Sequence, residues 1–255
     1  MNKNQKIMII LVILSLIIPG IMLYNVLIPI PSEHTSEGPI HETSTTFLFE
    51  NEVYTITINV SQDRFDDLNN SFQFRSVAQY SNSYRYITPN DSTIKYIAQQ
   101  ILQITELWND IDRANFTLSY VQSIPYISDR EGYNARDYWA FPVETLYLNG
   151  GDCANKSILF VSLMRCMGYD STLLFNLNHA IAGVNIEGAT GDYTSFMGTK
   201  YYWADCTAYG PIGHSPYDGF THMIWWNILG LCFFIFTMIP LICMCIYYKR
   251  LGRES

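Results

Sequence analysis

Apolar residues are distributed along this chain in two distinct ways. Near each end they run without interruption: Ile7 to Ile28 and Ile224 to Ile246 contain no charged residue. At about 1.5 Å per residue each stretch makes roughly 33 Å of helix, enough to cross a hydrocarbon core of about 30 Å. Trp225 and Trp226 open the second stretch and Tyr247 and Tyr248 close it, as in an interfacial belt. Lys3 and Lys6 precede the first stretch as they would in a secretory signal. It is longer than a usual signal core and no A-x-A-like site follows, so it reads as a retained anchor.

Between the anchors the pattern is periodic. Residues 29–45 are polar without an apolar period and read as a flexible stalk. Thr46 to Glu50 and Val53 to Val60 alternate apolar and polar residues around Asn51 and Glu52, predicting a hairpin. Residues 61–91 show no period that places them. Ser92 or Thr93 can cap a helix whose apolar residues Ile94, Ile97, Ile101, Ile104 and Trp108 recur every three or four positions. A shorter helix is expected from Phe116 to Ser123, closed by Pro125. A Tyr- and Arg-rich loop from Tyr126 to Trp139 follows. The turn Asn149-Gly150-Gly151-Asp152-Cys153 leads into a helix running to Met167, with Gly168 just past its end. Three β-like runs come next: Ser171 to Asn176, His179 to Ile186 and Lys200 to Thr207.

Helices followed by a strand-rich half predict an α+β fold, with N-terminal helices packed on an antiparallel sheet and two transmembrane helices flanking it. The expected organisation is a tail 1–6, a span 7–28, the stalk 29–45, a small β-rich part 46–91, a main domain 92–223, a span 224–246 and a tail 247–255.

Charge sets the orientation. The flanks carry Lys3, Lys6, Lys249, Arg250 and Arg253 against Glu254, so both termini read as cytoplasmic and the middle as extracytoplasmic. That middle segment is strongly acidic within a chain of net charge −8. With no basic stripe, nucleic-acid binding is excluded as a function class. Cys232, Cys243 and Cys245 fall in the second span, leaving Cys153, Cys166 and Cys206 outside. An odd number means at least one free thiol or an intermolecular bridge; if Cys166 pairs with Cys206, Cys153 is the thiol left over. Sequons at Asn59, Asn69, Asn90, Asn115 and Asn155 permit glycosylation.

Cys153 falls in the first turn of its helix, where unpaired N–H groups and the positive end of the dipole favour a thiolate. A nucleophilic thiol also needs an imidazole to take its proton and a third group to orient that ring. His179 opens the next strand but one, and Asp205 ends another. Taken singly, each has an ordinary reading too: a buried small hydrophobe, a satisfied histidine, a turn aspartate. Zinc held by Cys153, Cys206 and a histidine is disfavoured, because no C-x-x-C or H-x-x-x-H pair seeds it.

The run Tyr120-Val-Gln-Ser-Ile-Pro-Tyr126, then Phe141-Pro-Val-Glu-Thr-Leu146, then Gly151-Asp-Cys153 with Ser157-Ile-Leu159 and Leu163-Met-Arg-Cys-Met-Gly168, resembles the core of transglutaminase-like domains. It is most similar to the membrane-attached archaeal type. His179-Ala-Ile-Ala-Gly-Val184 and Tyr201-Tyr-Trp-Ala-Asp205-Cys-Thr207 match that family's His and Asp motifs in order, and the similarity spans about residues 92–210. The resemblance implies a papain-like cysteine-enzyme fold with Cys153 as nucleophile, His179 as general base and acid, and Asp205 as its orienter. Gln122 is the candidate oxyanion donor, beside the backbone N–H of Cys153. No cofactor or metal is implied. Two departures touch the site: Ala154 and Asn155 stand where the family often has two acids, and Asn178 where it often has Gly. Glu144 reads first as a cap or loop anchor, and Arg165 as a helix-end cation.

The expected function is a membrane-anchored thiol enzyme acting on a protein or peptide substrate outside the cell membrane, cleaving or transferring amide acyl groups. A catalytically inactive module recognising cell-surface protein or glycan is the alternative; the 19 Tyr would suit such a surface.

Overall fold

The computed structural model describes residues 38–71 and 83–222. The expected spans 7–28 and 224–246, the tails 1–6 and 247–255, and the first part of the stalk lie outside these residues. Among the described residues no helix is long and apolar enough to cross a membrane. The architecture is mixed α and β, with antiparallel sheets.

The chain enters through a hairpin. Strands β1 (Ile40–Phe49) and β2 (Glu52–Ser61) pair antiparallel in a register that sets Phe49 opposite Glu52. The two loop residues Glu50 and Asn51 both take positive φ, 48° and 68°, as a type I′ turn requires. Thr43, Thr45 and Phe47 point inward from β1, and Ile56, Ile58 and Val60 from β2. The strand therefore begins earlier than expected: Ile40 to Thr45, assigned to the flexible stalk, are its first half. Their polar composition concealed the alternation. Thr43 lies opposite Ile58 and Thr45 opposite Ile56, positions that a β-branched threonine fills well. On the outer face Ser44 meets Thr57 and Thr46 meets Thr55, each hydroxyl pair at 2.9 Å.

Helix α1 (Gln62–Asn69), capped by Ser61, occupies part of the stretch without a sequence period. Helix α2 (Ser92–Ile104) buries Ile94, Ile97, Ala98 and Ile101. Its cap is Asp91, whose carboxylate accepts from Thr93 N at 2.9 Å, one residue ahead of the serine expected. Trp108 lies beyond the helix end and stacks on Phe49, with centroids 5.5 Å apart. Helix α3 (Asp110–Ser123) starts well before Phe116, at the cap Asn109. Its first turn, with Asp110 and Asp112, suits the positive end of the dipole and offers no apolar period to read. Phe47 packs on Phe116 and Tyr120 at 5.0 and 5.7 Å, seating the hairpin on this helix.

Within the expected loop Tyr126–Trp139 lies a short helix, α4 (Asp129–Tyr133), closed at its start by a capping box between Ser128 and Glu131. Helix α5 (Pro142–Tyr147) begins with proline at its first turn. Helix α6 (Cys153–Cys166) is the centre of the fold and packs against α2, α3, α5 and two strands. Asp152 caps its start. At its end Gly168, with φ +94°, and Tyr169 return N–H groups to Arg165 and Met164, the Schellman closure that the glycine predicts.

The second sheet has the order β5-β6-β4-β3-β7, from β3 (Ser171–Phe175), β4 (Ala180–Val184), β5 (Tyr193–Phe196), β6 (Thr199–Ala204) and β7 (Thr221–His222). Strand β4 pairs antiparallel with β6, Ala182 facing Ala204. The start of β4 and the end of β6 consequently share one edge of the sheet. The strands β5 and β7 were not read from the sequence; both are short, and β5 is largely exposed.

Candidate active site

His179 immediately precedes β4 and Asp205 immediately follows β6, so antiparallel pairing alone brings them side by side. His179 Nε2 lies 3.1 Å from Asp205 Oδ2. The turn before the histidine is fixed by Asn176, whose side chain accepts from the N–H groups of Asn178 and His179 at 3.0 and 2.8 Å. Asn178 is not among the residues with positive φ, so this turn does not demand a glycine there.

Asp205 is 1% exposed. Its Oδ1 accepts from Thr207 N (3.0 Å), Thr207 Oγ1 (2.9 Å) and Ala208 N (3.1 Å), and its Oδ2 accepts from Ser215 Oγ at 2.9 Å. Burial alone would raise its pKa; the bonds from His179, Thr207 and Ser215 outweigh that and hold the carboxyl well below the usual range. Tyr217 lies against the imidazole with ring centroids 4.6 Å apart. Sequence reading missed Ser215 and Tyr217, which sit in an aperiodic loop. Thr207 was visible as the last residue of the Asp motif.

Cys153 stands at the first position of α6 as expected, with a free thiol. The turn before it is tight: a Cβ on Gly151 would come within 3.0 Å of Asn155 Cβ and 3.1 Å of Thr145 Cγ2. The backbone N–H groups of Ala180 and Ala154 act on the sulfur and favour the thiolate, so the nucleophile candidate sits against the residue next to His179. Ser157, one turn along the helix, donates to the Ala180 carbonyl at 3.3 Å. The expected stabilisation of the thiolate by the helix start is nonetheless overcome. Burial, with Asp152 and Asp129 nearby, pushes the thiol up to about 12. The resting group is the thiol.

Two acids crowd that side. Burial raises Asp152, the cap of α6, and takes Asp129 up to about 7, with Asp152 adding to the rise. Asp129 accepts from Tyr138 N (2.8 Å) and Asn155 Nδ2 (3.0 Å), while Asn155 Oδ1 accepts from Ala140 N at 2.7 Å. Asn155 is fully buried in these bonds, which leaves its sequon inaccessible in the folded chain.

Gln122, expected as an oxyanion donor, is turned to another task. Its Nε2 donates to the carbonyls of Asp205 (2.8 Å), Ala208 (2.7 Å) and Gly210 (3.0 Å), so its amide hydrogens are committed. Tyr126 is the polar side chain that senses the charges of both Asp152 and Cys153. Its backbone is tied to Gly151 by a parallel bridge. Glu144 acts as a cap, accepting from Phe141 N at 2.8 Å and from Tyr138 Oη at 2.7 Å. Arg165 donates Nε to the Ser171 carbonyl at 2.7 Å.

Cys166 and Cys206 are not joined. Cys206 is fully buried and feels the charge of Lys156 near the start of α6, whereas Cys166 ends the same helix. The ten residues from Lys156 to Cys166 span about 15 Å, beyond disulfide reach. A cavity of about 300 Å³ lined by Lys95, Arg165 and Cys166 lies at that far end, away from Cys153. Among the described residues no group of three or more His, Cys, Asp or Glu is placed to hold a metal ion. The sequence matches no model of a known protein family and no curated protein.

Proposed function

We propose that this chain is a membrane-anchored, extracytoplasmic thiol enzyme with a papain-like core, which cleaves or transfers amide or peptide acyl groups through Cys153, His179 and Asp205. The observation that carries the reading is the 3.1 Å contact between His179 and a fully hydrogen-bonded Asp205, set beside a free cysteine at a helix start. Because the resting group is the thiol, the sulfur loses its proton to His179 as it attacks the carbonyl. The ring then returns that proton to the leaving nitrogen, and a thioester remains for water or an amine to resolve. Asp205 stays ionised throughout and steadies the imidazolium. The N–H groups near the sulfur would receive the developing oxyanion.

The test is acyl transfer from a glutamine-containing peptide, followed by ammonia release with and without a primary amine. Turnover is expected in the parent chain and a loss of about 10³-fold or more in Cys153→Ala and in His179→Ala. Equal activity in all three proteins removes the enzymatic reading.

One observation favours a second reading, that of a non-catalytic recognition module for cell-surface protein or glycan. The thiol is pushed away from its reactive form, and Tyr126, which senses its charge, and Tyr217, against the His179 ring, are 62% and 52% exposed. Alkylation of Cys153 at the rate of an ordinary buried thiol, indifferent to His179→Ala, selects this reading.

A further inference from the structure

Behind the site, two adjacent residues of α6 begin two separate hydrogen-bonded paths that meet again at the His179–Asp205 pair. Lys156 is 2% exposed, and its Nζ donates to the carbonyls of Gln122 (3.1 Å) and Ile124 (2.7 Å) at the end of α3. A buried ammonium is costly unless its donors are met; here two orphan carbonyls and the negative end of a helix dipole receive it. Gln122, held from behind by its own carbonyl, spends its side-chain amide on the carbonyls of Asp205, Ala208 and Gly210. Two hydrogens serve three acceptors, so one is shared, and the loop carrying Asp205 is gripped at both ends. The second path is short: Ser157 binds the carbonyl of Ala180, next to His179.

We propose that Lys156 and Gln122 are positioning residues. Together they set the Asp205 carboxylate, and through it the His179 ring, at a fixed place relative to Cys153 without touching any reacting atom. Lys156 is three residues beyond Cys153 and so lies on the neighbouring part of the same helix face. Any shift of the nucleophile along α6 is thereby passed to the loop that holds its partners. The catalytic consequence rests on the enzymatic reading above; the mechanical strut does not.

The test uses the full-length chain and two measurements. In Gln122→Met, which keeps the length of the side chain and removes its donors, amide exchange at Thr207 and Ala208 is expected to rise about tenfold or more, because the loop loses the grip on its carbonyls that holds these N–H groups on the Asp205 carboxylate. The pH profile of Cys153 alkylation by iodoacetamide, resolved by peptide mass from Cys166 and Cys206, is expected to move in the same direction as in Asp205→Asn, by about tenfold in rate at pH 8. Lys156→Met is expected to move both readouts the same way. Should Gln122→Met fail to fold, Gln122→His, which retains one N–H donor, takes its place and is expected to give an intermediate exchange rate. A folded variant with the parent's exchange at Thr207 and Ala208 overturns the proposal. If exchange rises while His179→Ala leaves the parent's alkylation profile unchanged, the strut stands and it is the enzymatic reading that falls.

Discussion

Two buried aspartates belong to the surroundings of the site, and burial raises the pKa of both, yet they end in opposite states. Asp205 receives hydrogen bonds from Thr207, Ala208 and Ser215 and faces His179, so it stays charged although 1% exposed. Asp129, 7% exposed, is raised by burial, with Asp152 and Asp137 adding to the rise, and the Tyr138 N–H and the Asn155 amide do not offset it, so its pKa reaches about 7. Exposure therefore does not set the charge of a carboxyl here; the balance of donors and like charges does. Asp205 is a permanent anion for the imidazole. Asp129 resists gathering charge, and the thiol is kept protonated by burial first and by Asp152 and Asp129 after it.

The largest effect is expected from removing the Asp205 anion. Asp205→Asn should lower acyl transfer about 10³-fold or more, because an amide no longer fixes the imidazole tautomer. The stability that Asp205 contributes is present above its unfolded pKa, near 4, and is lost as pH falls below that value. The parent is thus expected to lose melting temperature in acid more steeply than the variant, which calorimetry from pH 3 to pH 6 would reveal.

At Asp129 the sign reverses. A native pKa of about 7 means that folded Asp129 holds a proton which the unfolded chain has released, so stability falls as pH rises from about 4 to about 7. Asn155→Asp sets another carboxylate against Asp129 and removes the donor that reaches it. A loss of about 2–3 kcal/mol is expected at pH 8, and a smaller one at pH 5 where the pair can share a proton. Asp129→Asn replaces an acceptor of the Tyr138 N–H, so a loss of about 1–2 kcal/mol is expected at pH 5. That gap should narrow toward pH 8, where the parent bears the buried charge; a gap that widens would refute the assignment of this carboxyl. Thr207→Val removes one hydroxyl donor from Asp205 and should have the smallest effect, about 1 kcal/mol in denaturant unfolding.

What the sequence disclosed follows the range of the interactions involved. The helix from Cys153, its aspartate cap, its glycine stop and the three longer strands of the sheet were legible because caps and periods are local signals. The flexible stalk was overstated because Thr43 and Thr45 face the core through a partner strand, which no alternation of apolar letters records. Helix α4 and strands β5 and β7 are too short to establish a period. Gln122 was picked out as a polar residue near the nucleophile, but its bonds reach a loop more than eighty positions away, and only the folded chain displays them. The rise of the Cys153 thiol was hidden for the same reason: its largest cause is burial, which only the folded chain displays, with the neighbouring Asp152 and the sequence-distant Asp129 adding to it.

The hairpin between β5 and β6 turns at Met197 and Gly198, both with positive φ, and Met197 is 89% exposed. Strand β6 runs from that tip to Asp205, a distance of roughly 20 Å at about 3.3 Å per residue. The far tip is thus insulated from the chemistry by a rigid length of sheet, and a fluorophore or affinity label grafted there would report on the protein without disturbing the sulfur.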